Sequence, residues 1–244
     1  MRKLIHIDSL SSDCRFFYEH VHSCWEISYY IQGEGINTIG GIEHPFSAGT
    51  IICQPPGIAH SERSEHGFRN IFFCIEQMDD FGAEVPVFTD GINCECGQLL
   101  RQMLYCYHKR ENRWENVIDA GLALFTEYLH VYNGRHCKNP LVEDCEKQII
   151  ENISNQDFSL SALIESIPLS STYFMKLFKK ETGLTPADYL TEKRINHAKL
   201  LLPNRHVLGY RIKDISLLCG YRDQFYFSRV FKKATGFAPE IMFP

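Results

Sequence analysis

The 244-residue sequence has no long hydrophobic run, no secretory signal and no cysteine pair of the CxxC type. No segment approaches the roughly 20 consecutive apolar residues of a membrane-spanning helix. The N-terminal residues Met1–Asp8 turn polar too soon for a signal peptide. Without an export signal, the ten scattered cysteines are expected to be reduced thiols rather than disulfides. These absences predict a cytoplasmic protein without a membrane segment.

Two of the cysteines, Cys94 and Cys96, are separated by a single residue. Two thiols cannot complete a tetrahedral metal site alone, and this pair is too close to bridge comfortably. Soft-metal binding and oxidant sensing are alternatives, but in so cysteine-rich a chain we interpret the spacing as chance. Cys219 lies in a helical pattern and is predicted to be a small buried side chain.

The net charge of −5 is distributed unevenly along the chain. Residues 1–139 contain 11 Lys and Arg against 18 Asp and Glu, whereas residues 159–244 contain 13 against 7. A basic C-terminal part is what a phosphate-binding surface needs. The alternative is a solvated helical face that is basic by chance.

Turn residues and apolar periodicity divide the chain into three parts. Short apolar runs punctuated by Gly and Pro predict strands over residues 15–90. From about Gly97 the spacing becomes that of two amphipathic helices, and Tyr132–Pro140 reads as a polar linker before a wholly helical remainder. We therefore predict an α+β protein with two domains, an antiparallel β-barrel and an all-α domain. The predicted divisions are the barrel at 1–95, connector helices and linker at 96–139, and the helical domain at 140–244.

The helical part repeats a short motif at a spacing of 53 residues, with eight of nine paired positions identical in type. The first copy comprises Tyr173, Phe174, Leu177, Phe178, Lys179, Lys180, Thr182, Gly183 and Pro186. The second comprises Tyr226, Phe227, Val230, Phe231, Lys232, Lys233, Thr235, Gly236 and Pro239. Each copy has the buried stripe of a short helix, a Lys-Lys pair and a Thr-Gly stop. Such a repeat is one supersecondary unit used twice.

Capping residues predict a helix-turn-helix in each copy. Ser159 and Ser170 can cap two helices that Pro168 keeps apart. In the second copy Gly220 can make the turn and Asp223 can cap the following helix. Two small basic helices of equal construction suit two adjacent grooves of DNA.

Between the copies, Thr185-Pro186 opens a helix long enough to hold the two units apart. With the apolar stripes inward, the outer faces of the repeat helices carry side chains suited to DNA bases. These predicted DNA-binding residues are Thr172, Met175, Lys176 and Lys179 in the first helix, and Gln224, Phe225, Arg229 and Lys232 in the second. They could instead be merely solvated positions, but two matched units with a local basic excess favour DNA binding. Because the two sets differ, the operator should be asymmetric within each bound monomer.

The sequence resembles the AraC/XylS family of bacterial transcription regulators across nearly the whole chain. The resemblance is strongest over 173–183 and 226–233, and at Arg194, Ile195, Ala198, Leu201, Leu202, Ile212, Ile215, Gly220, Tyr221, Gly236 and Pro239. It implies two helix-turn-helix units joined by a long helix, with a recognition helix in each of two successive major grooves. By position it assigns base contacts to Thr172, Met175, Lys176, Gln224, Phe225 and Arg229.

The chain departs from this family pattern in three places. The segment Pro203–Arg211 is longer than the usual connection between the units. Ile167-Pro168 stands where a Gly often makes the first turn. Ile241–Phe243 replaces a common aromatic-Arg ending, so one customary phosphate contact is in doubt.

The predicted strands contain a second pattern. His20–Glu26 resembles the first cupin motif and Gly49–His60 the second, except that Ser64 stands where an Asn is usual. A cupin is a small antiparallel barrel whose open mouth binds a ligand or a metal. Strand alternation is expected to direct one set of side chains into the barrel and the other set away from it. The inward set is His20, His22, Cys24, Glu26, Ser28 and Tyr30, and the outward set is Trp25, Ile27, Tyr29 and Ile31.

The residues predicted to bind a ligand are His20, His22, Glu26, Tyr30 and His60. Three of the side chains are imidazoles and one is a carboxylate, a set that suits divalent Zn, Fe, Mn or Ni. The alternative is that His20, His22, Glu26 and His60 form scaffold and pocket hydrogen bonds with no metal. We expect that no cofactor is required, and we keep a divalent metal bound by these four residues as an alternative.

These patterns predict a sequence-specific transcription regulator, not an enzyme, controlled by a small molecule in the barrel. Expected partners are double-stranded promoter DNA, the effector and RNA polymerase, with a homodimer through the helices of residues 99–129 as a further option. One alternative is a metal-dependent cupin enzyme with an accessory helical domain, although an enzyme has no need for two matched basic helices. Another is a single-partner interaction module, which predicts weak salt dependence where DNA binding predicts steep salt dependence.

Overall fold

The chain forms two compact units, Met1–His136 and Cys137–Pro244. The computed structural model describes residues 3–10, 14–133, 139–205, 207 and 209–242. Within these ranges, no helix has the length and apolar character needed to cross a membrane. Most of the predicted linker, at 134–138, lies outside the described residues, as do 206 and 208 of the long connection and the last two residues.

The N-terminal unit is an eight-stranded antiparallel sheet followed by two helices. The strands are β1 (Leu4–Ser9), β2 (Cys14–His20), β3 (Trp25–Gly33), β4 (Gly35–Ile39), β5 (Ile42–Phe46), β6 (Thr50–Gln54), β7 (His60–Ile75) and β8 (Val87–Thr89), and the helices are α1 (Glu95–Lys109) and α2 (Trp114–Tyr132). The strand order is β5-β4-β7-β3-β6-β8, with β1 and β2 also pairing with β7. In the described part of the unit β5 pairs only with β4 and β8 only with β6, so the sheet is a half-barrel. The prediction of an antiparallel β domain is confirmed, and the sheet forms a half-barrel rather than a closed barrel.

The two faces of the sheet bury different sets of side chains. Ile27 and Tyr29 of β3 pack with Leu100 of α1 and Phe125 of α2 in the larger core. Tyr30 lies on the opposite face, in a cluster that draws on five strands. Its members are Tyr30, Ile39, Phe46, Ile52 and Phe68. Because this cluster extends from the end strand β5 across the sheet to β6, it marks the inside of the half-barrel, and the alternation predicted along β3 is confirmed.

A single carboxylate joins the sheet to both helices. Asp90, just after β8, accepts hydrogen bonds from the backbone N–H groups of Cys96 (3.1 Å) and Gly97 (3.0 Å) in the first turn of α1. It also accepts one from the hydroxyl of Tyr132 (2.9 Å) at the end of α2. A carboxylate at a helix N-terminus is favoured both by the unpaired N–H groups and by the helix dipole.

We expect Asp90→Ala to lower the free energy of unfolding of the N-terminal unit by about 2–3 kcal/mol, since several charge-assisted hydrogen bonds are lost at once. Denaturant titration followed by tryptophan fluorescence measures this unit alone, because both tryptophans, Trp25 and Trp114, lie in it. Asp119→Ala, at an exposed position of α2, is the matched control. Equal unfolding midpoints for the two variants would contradict the assignment.

The C-terminal unit is helical throughout its described residues. Its helices are α3 (Pro140–Glu151), α4 (Leu160–Ser166), α5 (Ser171–Thr182), α6 (Pro186–Leu201), α7 (Ile212–Leu218), α8 (Gln224–Thr235) and α9 (Pro239–Met242), with a short 3-10 helix at Leu202–Asn204. The pairs α4–α5 and α7–α8 are the two predicted helix-turn-helix units, and α6 lies between them. Each pair has its own core, with Phe174 and Phe178 in one and Phe227 and Phe231 in the other. Cys219 is buried in the second core, as predicted.

Candidate functional site

Helices α5 and α8 have the same construction, and the predicted caps are confirmed. The hydroxyl of Ser170 accepts the N–H of Tyr173 (3.4 Å), and Asp223 accepts the N–H of Tyr226 (2.5 Å). Both helices end on a glycine with left-handed backbone, Gly183 and Gly236, whose φ values are 80° and 85°. Ser159 and Thr185 cap α4 and α6 in the same way. Short-range chemistry in the sequence therefore sets the bounds of both repeat helices.

The residues predicted to read DNA lie on the outer faces of these two helices. All are exposed except Gln224, which is half-buried at the start of α8. Phe225 is the extreme case, a large apolar ring that is 70 % exposed beside the buried Phe227. In the part of the chain that the structure describes, none of the basic members pairs with an acidic side chain. These basic members are Lys176, Lys179, Arg229 and Lys232.

One arginine links the two helix-turn-helix units. Arg194 of α6 donates hydrogen bonds to the backbone carbonyls of Ile153 (3.0 Å) and Asn155 (2.9 Å), which precede α4. Its guanidinium also lies over the ring of Tyr221, which precedes α8, at 5.3 Å from the centroid. A β-carbon at Gly220 would lie 2.5 Å from the Ile153 carbonyl, so only glycine fits beside this contact. The spacing of the two units therefore depends on Arg194 and Gly220.

In the N-terminal unit four side chains converge, and we call them the histidine cluster: His20, His22, Glu26 and His60. Their ligand atoms all lie within 4.8 Å of one another. His20 ends β2 and pairs with His60 at the start of β7, with ring centroids 4.3 Å apart. Nε2 of His22 lies 2.9 Å from Oε2 of Glu26, and Nε2 of His60 lies 3.8 Å from Oε1.

The route by which these side chains meet differs from the predicted one. The alternation argument treated His20–Ile31 as one strand, whereas β2 ends at His20 and β3 begins only at Trp25. His20 reaches the cluster through the pairing of β2 with β7, and His22 through the connection that precedes β3. This long-range pairing has no signature in the local sequence.

Burial and charge shift the pKa values of two carboxyl groups near the cluster in opposite directions. Burial alone would raise the pKa of Glu26, but the imidazoles of His60 and His22 outweigh it and lower that pKa. Burial likewise acts to lower the pKa of His60, and the carboxylate of Glu26 raises it overall. Burial raises the pKa of Glu62 to about 7, although the hydrogen bond from Tyr30 acts to lower that pKa. The cluster thus holds a carboxylate that favours a nearby positive charge.

Tyr30, also predicted to bind a ligand, is fully buried in the scaffold of the inner face. Its hydroxyl donates to Glu62 and accepts from Nδ2 of Asn37 (3.0 Å), and its ring stacks on Phe46 at 3.7 Å. Sequence reasoning missed Glu62 and Asn37, because each reaches Tyr30 only through strand pairing. Ser64, the departure from the cupin pattern, donates to the carbonyl of Glu34 (2.6 Å).

A cavity of about 670 Å³ opens between β2, β4, β5 and β7. Its walls are apolar at Phe16, Ile36, Pro45 and Phe46, and they carry the charged groups of Arg15, Glu34, Arg63 and Glu65. None of the predicted ligand-binding residues lines it. Phe46 connects the two regions, since its ring also stacks on that of Tyr30. Phe73, by contrast, belongs to the core shared with α1 and α2, and Trp25 packs against that core.

The two neighbouring cysteines differ in exposure, Cys94 being exposed and Cys96 buried.

Across the described residues, the histidine cluster is the single group of three or more potential metal ligands.

Two family models match the chain, one in each unit. Residues 11–115 match the AraC-like ligand binding domain, and residues 163–242 match a helix-turn-helix domain. The chain belongs to the AraC family of transcription regulators. Members combine a ligand-binding domain with a helix-turn-helix DNA-binding domain, and this AraC-family chain is accordingly a ligand-controlled transcription regulator.

Individual proteins are also similar to this AraC-family chain. The HTH-type transcriptional activator RhaR of Escherichia coli K12 is 24% identical over 91% of this chain and 86% of its own length. The C-terminal domain of the response regulator yesN from Fusobacterium nucleatum is 34% identical over 42% of this chain and 96% of its own, with a TM-score of 0.38. ToxT from Vibrio cholerae is 13% identical over 99% of this chain and 97% of its own, with a TM-score of 0.36.

Proposed function

We propose that this AraC-family regulator reads promoter DNA with two unlike helices, α5 and α8. The observation that carries the proposal is the pair of exposed outer faces on helices of equal construction, whose two units are linked by Arg194. The proposed base-reading side chains are Thr172, Met175 and Lys176 on α5, and Gln224, Phe225 and Arg229 on α8. Arg and Lys suit guanine, Gln suits adenine, and Met and Phe suit the thymine methyl group. Because the two sets differ, each bound monomer is proposed to read an asymmetric site.

Lys179 and Lys232, in the last turns of α5 and α8, are proposed to bind backbone phosphates. We expect Lys179→Ala and Lys232→Ala each to reduce the slope of log affinity against log salt by about 0.9, since one counterion-releasing contact is lost. Fluorescence anisotropy with an operator duplex at several salt concentrations measures the slope. Unrelated duplexes should weaken equally, because phosphates carry no sequence information. A wild-type slope near zero would instead support the interaction-module alternative.

We propose that the N-terminal half-barrel holds the effector site. The cavity beside Phe46 offers apolar walls with guanidinium and carboxylate groups at Arg15, Arg63, Glu34 and Glu65, which suits a small organic molecule with an apolar body and a polar end. The predicted ligand residues His20, His22, Glu26, Tyr30 and His60 do not line this cavity, and Phe46, whose ring stacks on that of Tyr30, joins the two regions. Genome-wide mapping of bound sites tests the regulator directly, and the genes beside those sites identify the class of effector. Absence of enriched promoter sites would reject the proposal.

Further partners follow from this function as proposals. RNA polymerase is the expected protein partner at a promoter, and a cytoplasmic location follows from a promoter target. The exposed apolar side chains Val117 and Leu124 of α2 suit a homodimer through this helix. DNA binding itself requires no cofactor and no catalytic group, so we propose no enzymatic activity. A divalent metal is proposed only for the histidine cluster.

A further inference from the structure

The positions outside the buried stripes of α5 and α8 fall into two groups when the helices are aligned at the 53-residue offset of the repeat. At the proposed base-reading positions the residues differ, since Thr172 corresponds to Phe225 and Met175 to Ser228. A second group is identical in both helices, although its side chains are exposed. Because these side chains lie outside the core, packing does not account for their identity. The exposed identical pairs are Tyr173 with Tyr226, Lys179 with Lys232, and Lys180 with Lys233.

The two tyrosines of this group are large side chains at the surface. Tyr173 and Tyr226 lie in the first turns of α5 and α8, and their exposed fractions are 57 % and 54 %. The Tyr226 ring contacts that of Tyr221, with centroids 6.1 Å apart. Among the residues that the structure describes, neither the Tyr173 hydroxyl nor the Tyr226 hydroxyl has a hydrogen-bond partner. Each helix therefore offers one unpaired phenolic donor at the same position.

Each tyrosine shares one flank of its helix with the second lysine of the Lys-Lys pair. Tyr173 and Lys180 are seven residues apart, which is about two helical turns, so they lie on one side of α5. This side borders the buried face, since Leu177, one turn after Tyr173, is half-buried. Tyr226 and Lys233 hold the same places on α8. Both lysines are exposed, and neither pairs with an acidic side chain within the described ranges.

The identity of these flanks fits the phosphate backbone as their partner. Bases change along an operator, so side chains that read them differ between two helices that read different sequences. Phosphates are the same at every step, and contacts to them carry no sequence information. Tyrosine hydroxyls and lysine ammonium groups both donate hydrogen bonds to phosphate oxygens. The flank of a helix that lies in the major groove faces the groove wall, where the phosphates are.

We propose that Tyr173 with Lys180, and Tyr226 with Lys233, form two equivalent phosphate clamps that hold α5 and α8 in the same orientation in their grooves. These clamps require that both helices bind DNA, and they therefore rest on the proposed function. In each clamp the lysine adds charge, and the tyrosine adds a directed hydrogen bond to one phosphate oxygen. A neutral hydroxyl displaces no counterion, so the two members of a clamp should respond differently to salt.

The test measures binding of the full-length protein to an operator duplex and to an unrelated duplex by fluorescence anisotropy at several salt concentrations. Tyr173→Phe and Tyr226→Phe remove only a hydroxyl, and each should weaken binding to both duplexes by about 2- to 10-fold with an unchanged salt slope. Lys180→Ala and Lys233→Ala should each reduce the slope by about 0.9. Tyr105→Phe, at an exposed tyrosine of α1, is the matched control and should bind as the wild type does.

Operator duplexes in which single phosphates are replaced by neutral methylphosphonates locate each contact. The replacement that removes the phosphate of Tyr173 should weaken the wild type more than it weakens Tyr173→Phe. Unchanged affinity in both tyrosine variants would overturn the clamps, and so would a loss confined to the operator, which would make the tyrosines base readers. Circular dichroism establishes that each variant is folded. The clamp variants should keep the wild-type preference for operator over unrelated DNA, whereas failure of the wild type to bind DNA would reject the proposed function itself.

Discussion

Arg229→Ala and Lys176→Ala should each weaken binding to the cognate operator by about 1–3 kcal/mol, a loss of about 5- to 150-fold, without unfolding the protein. Both side chains are exposed on the outer faces of α8 and α5, and neither pairs with an acidic group in the described part of the chain. Removing either one therefore leaves no orphaned partner inside the protein. The expected loss comes from the base contact that the long cationic side chain makes in the major groove.

Gel-shift or anisotropy titrations with the operator and with single-base variants of it measure this loss. Arg229→Ala should also relax discrimination at one base pair, which a phosphate contact cannot do. Lys199→Ala removes the same charge from an exposed position of α6 and is the matched control. Unchanged operator affinity in both reading-helix variants would show that α5 and α8 do not read DNA in the proposed way.

The C-terminal unit was largely predictable because its determinants are local. Ser170, Asp223, Gly183 and Gly236 each act within one helical turn of their own position, and the apolar stripes follow directly from a spacing of three and four residues. The exposure of the proposed reading residues then follows from which side of each helix is buried. The part that was not predictable is Arg194, whose partners lie about 40 residues before it and 27 after it in the chain.

Less of the N-terminal unit could be predicted from the sequence, because a sheet is built from pairs of residues that are far apart in the chain. Strand alternation correctly placed Tyr29 and Tyr30 on opposite faces of β3, since that rule applies within one strand. It could not supply the pairing of His20 with His60, or the hydrogen bonds of Asp90 to two helices. The histidine cluster was therefore predicted with the right members through an incorrect strand, whereas the cavity beside Arg15 and Arg63 was not predicted.

Gly220→Ala should lower the free energy of unfolding of the C-terminal unit by about 3 kcal/mol and weaken operator binding, because the turn before α8 would shift. Gly220 has φ of 76°, a backbone conformation that costs an L residue about 1–2 kcal/mol. Its β-carbon would also lie 2.5 Å from the Ile153 carbonyl and 2.7 Å from Nη2 of Arg194. Relief of that overlap must move the contact that joins the two helix-turn-helix units, and overpacking of this kind costs about 1–3 kcal/mol more.

Gly236→Ala separates these two contributions. Gly236 has a similar φ of 85°, but nothing lies within 4 Å of its added β-carbon, so it should lose only about 1 kcal/mol and keep its operator affinity. Far-UV circular dichroism follows the helices of both units, and tryptophan fluorescence, which should report an unchanged N-terminal unit in both variants, assigns the loss to the C-terminal unit. Equal losses for Gly220→Ala and Gly236→Ala would mean that backbone conformation alone sets the effect. A larger loss at Gly220, together with weaker operator binding, would show that the fixed spacing of α5 and α8 depends on the close approach of Gly220 to Ile153 and Arg194.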